Sequence, residues 1–149
     1  MDVKIRSASQ RREEIRAHAA ELGIDEAYIS RLVDTFYERI RLNPIIGPIF
    51  EERIGDEWSP HLARMKEFWA SVALNAGSYS GRPVPAHQKL DAVRPWHFDI
   101  WLALFERTLR DTAPTPAAVD YFMERARRIA TSLKLAMFAR LPTPRRRDS

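Results

Sequence analysis

Apolar residues recur along this chain at spacings of three and four, the repeat that places side chains on one face of an α-helix. No segment shows the strict alternation of apolar and polar residues that is typical of a strand. The pattern therefore predicts an all-α protein with five substantial helices and one very short helix. The longest stripe, in the last helix, contains Val119, Phe122, Ala126, Ile129, Leu133 and Met137.

Glycine, proline and capping residues predict where these helices begin and end. Gly23 suits the position just past the end of the first helix, and Asp25 can cap the second. Pro44 should end the second helix at Asn43, because a residue before proline avoids the helical conformation. The other helices are expected to start at Ser59 with Pro60, at Pro95 and at Thr115.

An apolar corner follows the second helix, at residues 43–50. Gly47 and Pro48 are expected to break regular structure there. The segment is nevertheless too apolar for an exposed loop, since it carries Ile45, Ile46, Ile49 and Phe50. We therefore expect the corner to pack onto another part of the fold.

Residues 58–87 hold two histidines beside a wall of large apolar side chains. His61 and Met65 share one face of a predicted helix with Phe68 and Trp69. His87 follows a loop rich in glycine and proline, where at most two helical turns fit. Two imidazoles facing such a wall would suit a buried porphyrin, and the same pattern would suit an ordinary helical core.

Composition limits the class of protein. The chain has 149 residues, 45% of them hydrophobic and 30% charged, which predicts one soluble globular domain. Cysteine is absent, which excludes disulfides, thiolate metal sites and covalent haem attachment. No apolar run is long enough to span a membrane, and no secretory signal is visible, so a cytoplasmic location is expected.

The net charge of +4 raises the possibility of nucleic-acid binding. Much of the excess lies near the end of the chain, at Arg140 and residues 145–147, where a solvated basic tail explains it. Phosphate-binding glycine loops, the HExxH zinc motif and EF-hand loops are missing. Haem is the cofactor that fits the remaining residues, although spacing alone makes each histidine more often a polar or capping residue than a ligand.

Several stretches, in conserved order and spacing, resemble the group III truncated haemoglobins. They are FYERIR (36–41), GPIF (47–50), WSPH (58–61), FWASV (68–72), GSYSGRPVPAH (77–87) and HFDIWLALF (97–105). The resemblance implies a truncated globin fold, in which a two-over-two sandwich of helices surrounds haem. The globin domain is expected at 25–140. An N-terminal extension with helix A at 1–24 and a disordered basic tail at 141–149 depart from the compact core of the family.

The resemblance assigns roles to individual residues. His87 matches the proximal ligand of the iron, and Tyr37, His61 and Trp101 match residues of the distal ligand-binding side. His61 is expected to gate the pocket, contact the ligand or bind iron. The residues expected to contact non-covalent haem b as walls or near its edge are Phe50, Met65, Phe68, Trp69, Tyr79, Arg94, His97 and Phe98.

The implied function is reversible binding of dioxygen, or of another diatomic ligand such as carbon monoxide or nitric oxide, at ferrous iron. Donors on Tyr37 and Trp101 are expected to slow its release. One alternative is a haem-dependent peroxidase or nitric-oxide detoxifying enzyme, which needs an electron donor or reductase. The other is a helical interaction or nucleic-acid-binding module without haem, although no nucleic acid is expected as a partner.

Overall fold

The computed structural model describes residues 7–74 and 92–138, and all regular structure within these ranges is α-helical. The helices are α1 (Ala8–Glu21), α2 (Glu26–Leu42), α3 (Gly47–Ile54), α4 (Trp58–Leu74), α5 (His97–Thr112) and α6 (Pro116–Phe138). The predicted fold class is thus confirmed. The short helix expected around His87 lies outside the described residues. None of the described helices is both long and apolar enough to cross a membrane.

Most of the predicted helix boundaries are confirmed. Gly23 follows α1 with a φ of +84°, and the side chain of Asp25 accepts a hydrogen bond from the Tyr28 N–H at 2.8 Å. Thr115 caps α6 by accepting from the Ala118 N–H at 3.2 Å. The expectations for Ser59 and Pro95 are wrong, because α4 already begins at Trp58 and α5 begins only at His97, after a turn at Pro95 and Trp96.

The apolar corner contains a helix that the sequence did not predict. Gly47 and Pro48 open α3 instead of interrupting regular structure, since proline is favourable in the first turn of a helix. The side chain of Asn43 stabilises the turn before α3 by accepting hydrogen bonds from the N–H groups of Ile45 and Ile46 at 2.9 and 3.0 Å. Gly47 itself lies against the end of α2, where a Cβ atom would be 2.8 Å from the Ile40 carbonyl oxygen.

We expect Gly47→Ala to destabilise the protein by about 1–3 kcal/mol, because the added methyl would collide with backbone atoms. Urea unfolding followed by circular dichroism measures this change. Glu52→Ala, at an exposed position on the same helix, should change the free energy of unfolding by less than about 0.5 kcal/mol. Equal stability of Gly47→Ala and the unmodified chain would contradict the close packing of α2 against α3.

The helices form two packed pairs. Helix α2 packs against α4, helix α5 against α6, and α2 also contacts α5. Two buried tyrosines connect the pairs: the Tyr28 hydroxyl is 2.9 Å from the Thr112 hydroxyl, and the Tyr121 hydroxyl donates to the Ala73 carbonyl at 2.7 Å. Burial raises the pKa of both phenols. This is the expected two-over-two arrangement. A cavity remains between the two helix pairs.

Candidate functional site

A cavity of about 410 Å³ lies between the helix pairs and is mostly apolar. Its volume falls within the range of about 300–1,000 Å³ that is usual for small-molecule sites. Every helix from α2 to α6 contributes to its wall. The lining residues are Tyr37, Ile46, Ile49, Phe50, Arg53, Ile54, Glu57, His61, Arg64, Met65, Phe68, Trp69, Val93, His97, Phe98, Trp101, Ile129, Ala130 and Leu133.

The structure brings most of the predicted site residues to this cavity. Those that line it are Tyr37, Phe50, His61, Met65, Phe68, Trp69, His97, Phe98 and Trp101. Arg94 is exposed and is not part of the lining, so its role near a haem edge stays a prediction. Tyr79 and His87 lie outside the described residues, and their predicted roles stay predictions as well.

Three polar side chains meet at the cavity from three different helices. Tyr37 on α2 is only 5% exposed. Its ring meets that of His61 on α4 edge to face, with centroids 5.2 Å apart and an angle of 84°. Trp101 approaches from α5. Their polar atoms comprise a phenol, an imidazole and an indole N–H, each of which can donate a hydrogen bond in an appropriate protonation state.

Stacked aromatic rings hold the tryptophans of the cavity wall in place. The Trp101 ring stacks on Phe105 with an interplanar angle of 7° and a centroid distance of 5.6 Å. Phe105 in turn stacks on Trp69 at 4.9 Å. Phe36 meets the rings of Tyr37 and Trp101 edge to face, at 5.2 and 5.6 Å. Because such ring pairs prefer defined orientations, this core restricts how the cavity side chains turn.

A polar cluster of Arg41, Glu51 and Trp58 lies next to Tyr37 and His61, which its Trp58 ring contacts, and it contributes no residue to the cavity lining. The carboxylate of Glu51 on α3 accepts from the indole N–H of Trp58 at 3.0 Å and from the Arg41 guanidinium at 2.9 Å. These hydrogen bonds, the Trp58 bond first, hold the pKa of the Glu51 carboxyl below its ordinary value. The cluster connects the end of α2, helix α3 and the first turn of α4.

His97 is oriented by its own turn at the start of α5. Its Nδ1 atom accepts from the backbone N–H of Arg94 at 2.8 Å, so the neutral ring carries its proton on Nε2. The ring also lies against the exposed Trp96, with centroids 4.0 Å apart. His97 is therefore held at the cavity wall as a fixed donor.

Sequence reasoning missed the charged part of the wall. Arg53, Glu57 and Arg64 line the cavity, and neither arginine forms an ion pair with another residue of the described ranges. One signal was present in the sequence, because Arg64 follows His61 by three positions and shares its helix face. Arg53 could not be placed, since α3 was not expected.

No family model matches this chain. It is 33% identical over 118 residues to the Group 3 truncated hemoglobin ctb of Campylobacter jejuni, an alignment that covers 77% of this chain and 92% of that protein. This chain belongs to the group III truncated haemoglobins. The crystal structure of a group III truncated hemoglobin from Campylobacter jejuni matches it with a TM-score of 0.73. That match has 33% identity and covers 78% of this chain and 93% of the other.

The sequence identity and the structural match confirm the predicted resemblance and the truncated globin fold. In terms of that fold, the α2–α4 and α5–α6 pairs are the two layers of this truncated haemoglobin. The cavity lies where the layers face each other. Its polar residues are therefore the candidates for the chemistry of the protein.

Proposed function

We propose that this truncated haemoglobin holds non-covalent haem b in the cavity and binds dioxygen or another diatomic ligand there, with slow release. The observation that carries the proposal is the convergence of Tyr37, His61 and Trp101 on one mostly apolar cavity. A helical binding module without haem does not explain why these three side chains converge on one cavity. The family membership of the chain supports the same proposal.

The residues at the cavity fit the chemistry of haem. A macrocycle needs an apolar sheath, and the walls offer Phe68, Trp69 and Phe98 together with aliphatic side chains. Its two carboxylates need cations, and Arg53 and Arg64 stand among the lining residues without an ion pair to another described residue. An axial imidazole is also required, and we assign that role to His87 by its match to the family motif.

A haem held in this cavity supplies ferrous iron, at which a diatomic ligand binds reversibly. Tyr37 and Trp101 act on the ligand itself, because a phenol and an indole N–H donate hydrogen bonds to an acceptor that gains negative charge. A charge-assisted hydrogen bond contributes about 1.5–3 kcal/mol, or roughly ten- to hundredfold in affinity. Such donors act mainly on the dissociation rate, and the surrounding apolar walls exclude competing water.

Titration with haemin tests the proposal. The protein is expected to bind one equivalent and to give ferric, ferrous and carbon monoxide absorption spectra of a histidine-ligated haem. A chain that stays colourless with haemin would overturn it. Turnover assays with peroxide and nitric oxide, supplied with an artificial reductant, then separate a ligand binder from the alternative enzyme.

Replacing both Arg53 and Arg64 by glutamine is expected to speed haemin release about tenfold, since each exposed ion pair contributes at most about 1 kcal/mol. Transfer of haemin to an excess of an acceptor apoglobin measures the rate. Replacing the exposed Arg127 and Arg128 by glutamine, at positions outside the cavity lining, should change it less than twofold. Equal rates of haemin release in the two double variants would show that Arg53 and Arg64 do not contribute to haem binding.

A further inference from the structure

We infer that Glu51 is a positioning residue for the ligand side of the cavity: by holding the Trp58 indole, it fixes the orientation of Tyr37 and His61. The inference rests on the proposed function, because it assumes that Tyr37 and His61 interact with a ligand bound in the cavity. Glu51 and Trp58 are themselves absent from the cavity lining, so their effect on a ligand is indirect.

Both oxygens of the Glu51 carboxylate are engaged by neighbouring helices. One accepts from Trp58 Nε1 at 3.0 Å and the other from Arg41 Nε at 2.9 Å. The Arg41 guanidinium also lies over the Trp58 ring, 4.4 Å from its centroid. The indole is therefore fixed twice, along its N–H bond and across one face.

The hydrogen bond to Glu51 is the fixed contact of the Trp58 N–H. Trp58 is 8% exposed, whereas the Glu51 side chain that accepts its N–H is 43% exposed, so removal of the carboxylate would leave water in place of this acceptor. Because water has no fixed position, the indole would then be freer to rotate about its side-chain bonds. Arg41 would restrain the indole only weakly, because an exposed cation over a ring is a small interaction and Arg41 would have lost its carboxylate partner.

Rotation of Trp58 would change the surface against which the cavity residues pack. The Trp58 ring meets Tyr37 at 6.1 Å and 63°, and His61 at 5.8 Å and 88°. Since these two rings also pack edge to face on each other, the three form a closed triangle. The orientation of any one ring then depends on the other two.

The first experiment measures dioxygen dissociation from the haem-loaded protein. Glu51→Ala is expected to speed it about three- to tenfold, while carbon monoxide association changes less than twofold. Glu51→Gln keeps an acceptor for the indole N–H and should stay within about twofold of the unmodified protein. Glu52→Ala, the exposed neighbour on α3, is the control for a general change in α3.

A double-mutant cycle shows whether Glu51 acts through Trp58. Trp58→Phe removes the N–H donor and is expected to speed dissociation as Glu51→Ala does. Adding Glu51→Ala to Trp58→Phe should then have less than a twofold further effect. Effects that multiply would overturn the inference, as would a Glu51→Gln variant that is as fast as Glu51→Ala.

NMR spectroscopy gives a readout that does not depend on ligand release. In the diamagnetic carbon monoxide form, the indole N–H signal that disappears in Trp58→Phe belongs to Trp58. Glu51→Ala is expected to shift this signal upfield and to speed its exchange with solvent, while Glu52→Ala leaves it in place. An unchanged signal would refute the role of Glu51 even where haem and dioxygen bind normally. Failure of the unmodified protein to take up haemin would instead refute the proposed function.

Discussion

Replacement of His87 by alanine is expected to abolish imidazole ligation of haem and to lower haemin affinity by more than roughly a hundredfold. Loss of a group that merely orients a metal ligand already costs about ten- to hundredfold in affinity, and loss of the ligand itself should cost more. Absorption spectra of the ferric and the ferrous carbon monoxide forms would show the change. Added imidazole should restore much of the original spectrum, because it can enter the space left by the side chain.

His18 provides the matched control for this experiment. It lies on α1, where its ring contacts Tyr121 and not the cavity. His18→Ala should therefore keep both the spectrum and the haemin affinity of the unmodified protein. An unaltered Soret band in His87→Ala would show that another residue holds the iron, and it would contradict the assignment drawn from the family motif.

Replacement of Tyr37 by phenylalanine is expected to speed dioxygen dissociation roughly ten- to hundredfold, the effect of losing one charge-assisted hydrogen bond. Carbon monoxide association should change far less, because bound carbon monoxide carries less negative charge. Stopped-flow and flash-photolysis kinetics measure the two rates on the same sample. The ring stays in place in this variant, so its contacts with Phe36 and Trp58 are preserved.

Tyr28→Phe is the control for removal of a tyrosine hydroxyl from α2. The Tyr28 hydroxyl bonds to Thr112 outside the cavity, so its loss should lower stability without changing either rate. If Tyr37→Phe changed dioxygen dissociation and carbon monoxide association by equal factors, Tyr37 would be acting by shape and not by its hydrogen bond.

The sequence predicted those parts of the fold that depend on local chemistry. Asp25, Thr115 and Gly23 mark helix ends in the structure because capping and positive φ are properties of single residues and their immediate neighbours. The face of α4 that carries His61, Met65 and Trp69 follows from helical spacing alone. These features needed no knowledge of tertiary packing.

Helix α3 and the contacts that it makes with α4 were missed. Helix α3 was taken for an irregular corner because Gly47 and Pro48 are poor residues for a helix interior, whereas at a helix start they are well tolerated. Without α3, neither Arg53 nor Glu51 could be placed beside α4. The bond between Glu51 and Trp58 joins two helices across the Gly55 turn, and no periodicity indicates such a contact.

The distribution of the cavity wall along the chain also affects how the protein is made. Within residues 7–74 and 92–138, its lining begins at Tyr37 and ends at Leu133, and the last wall comes from Ile129, Ala130 and Leu133 on α6. During synthesis these residues leave the ribosome after all the others of the site. Domains generally fold as units, so no shorter nascent chain contains the complete pocket. Capture of the proposed cofactor would therefore require α6 to have left the ribosome.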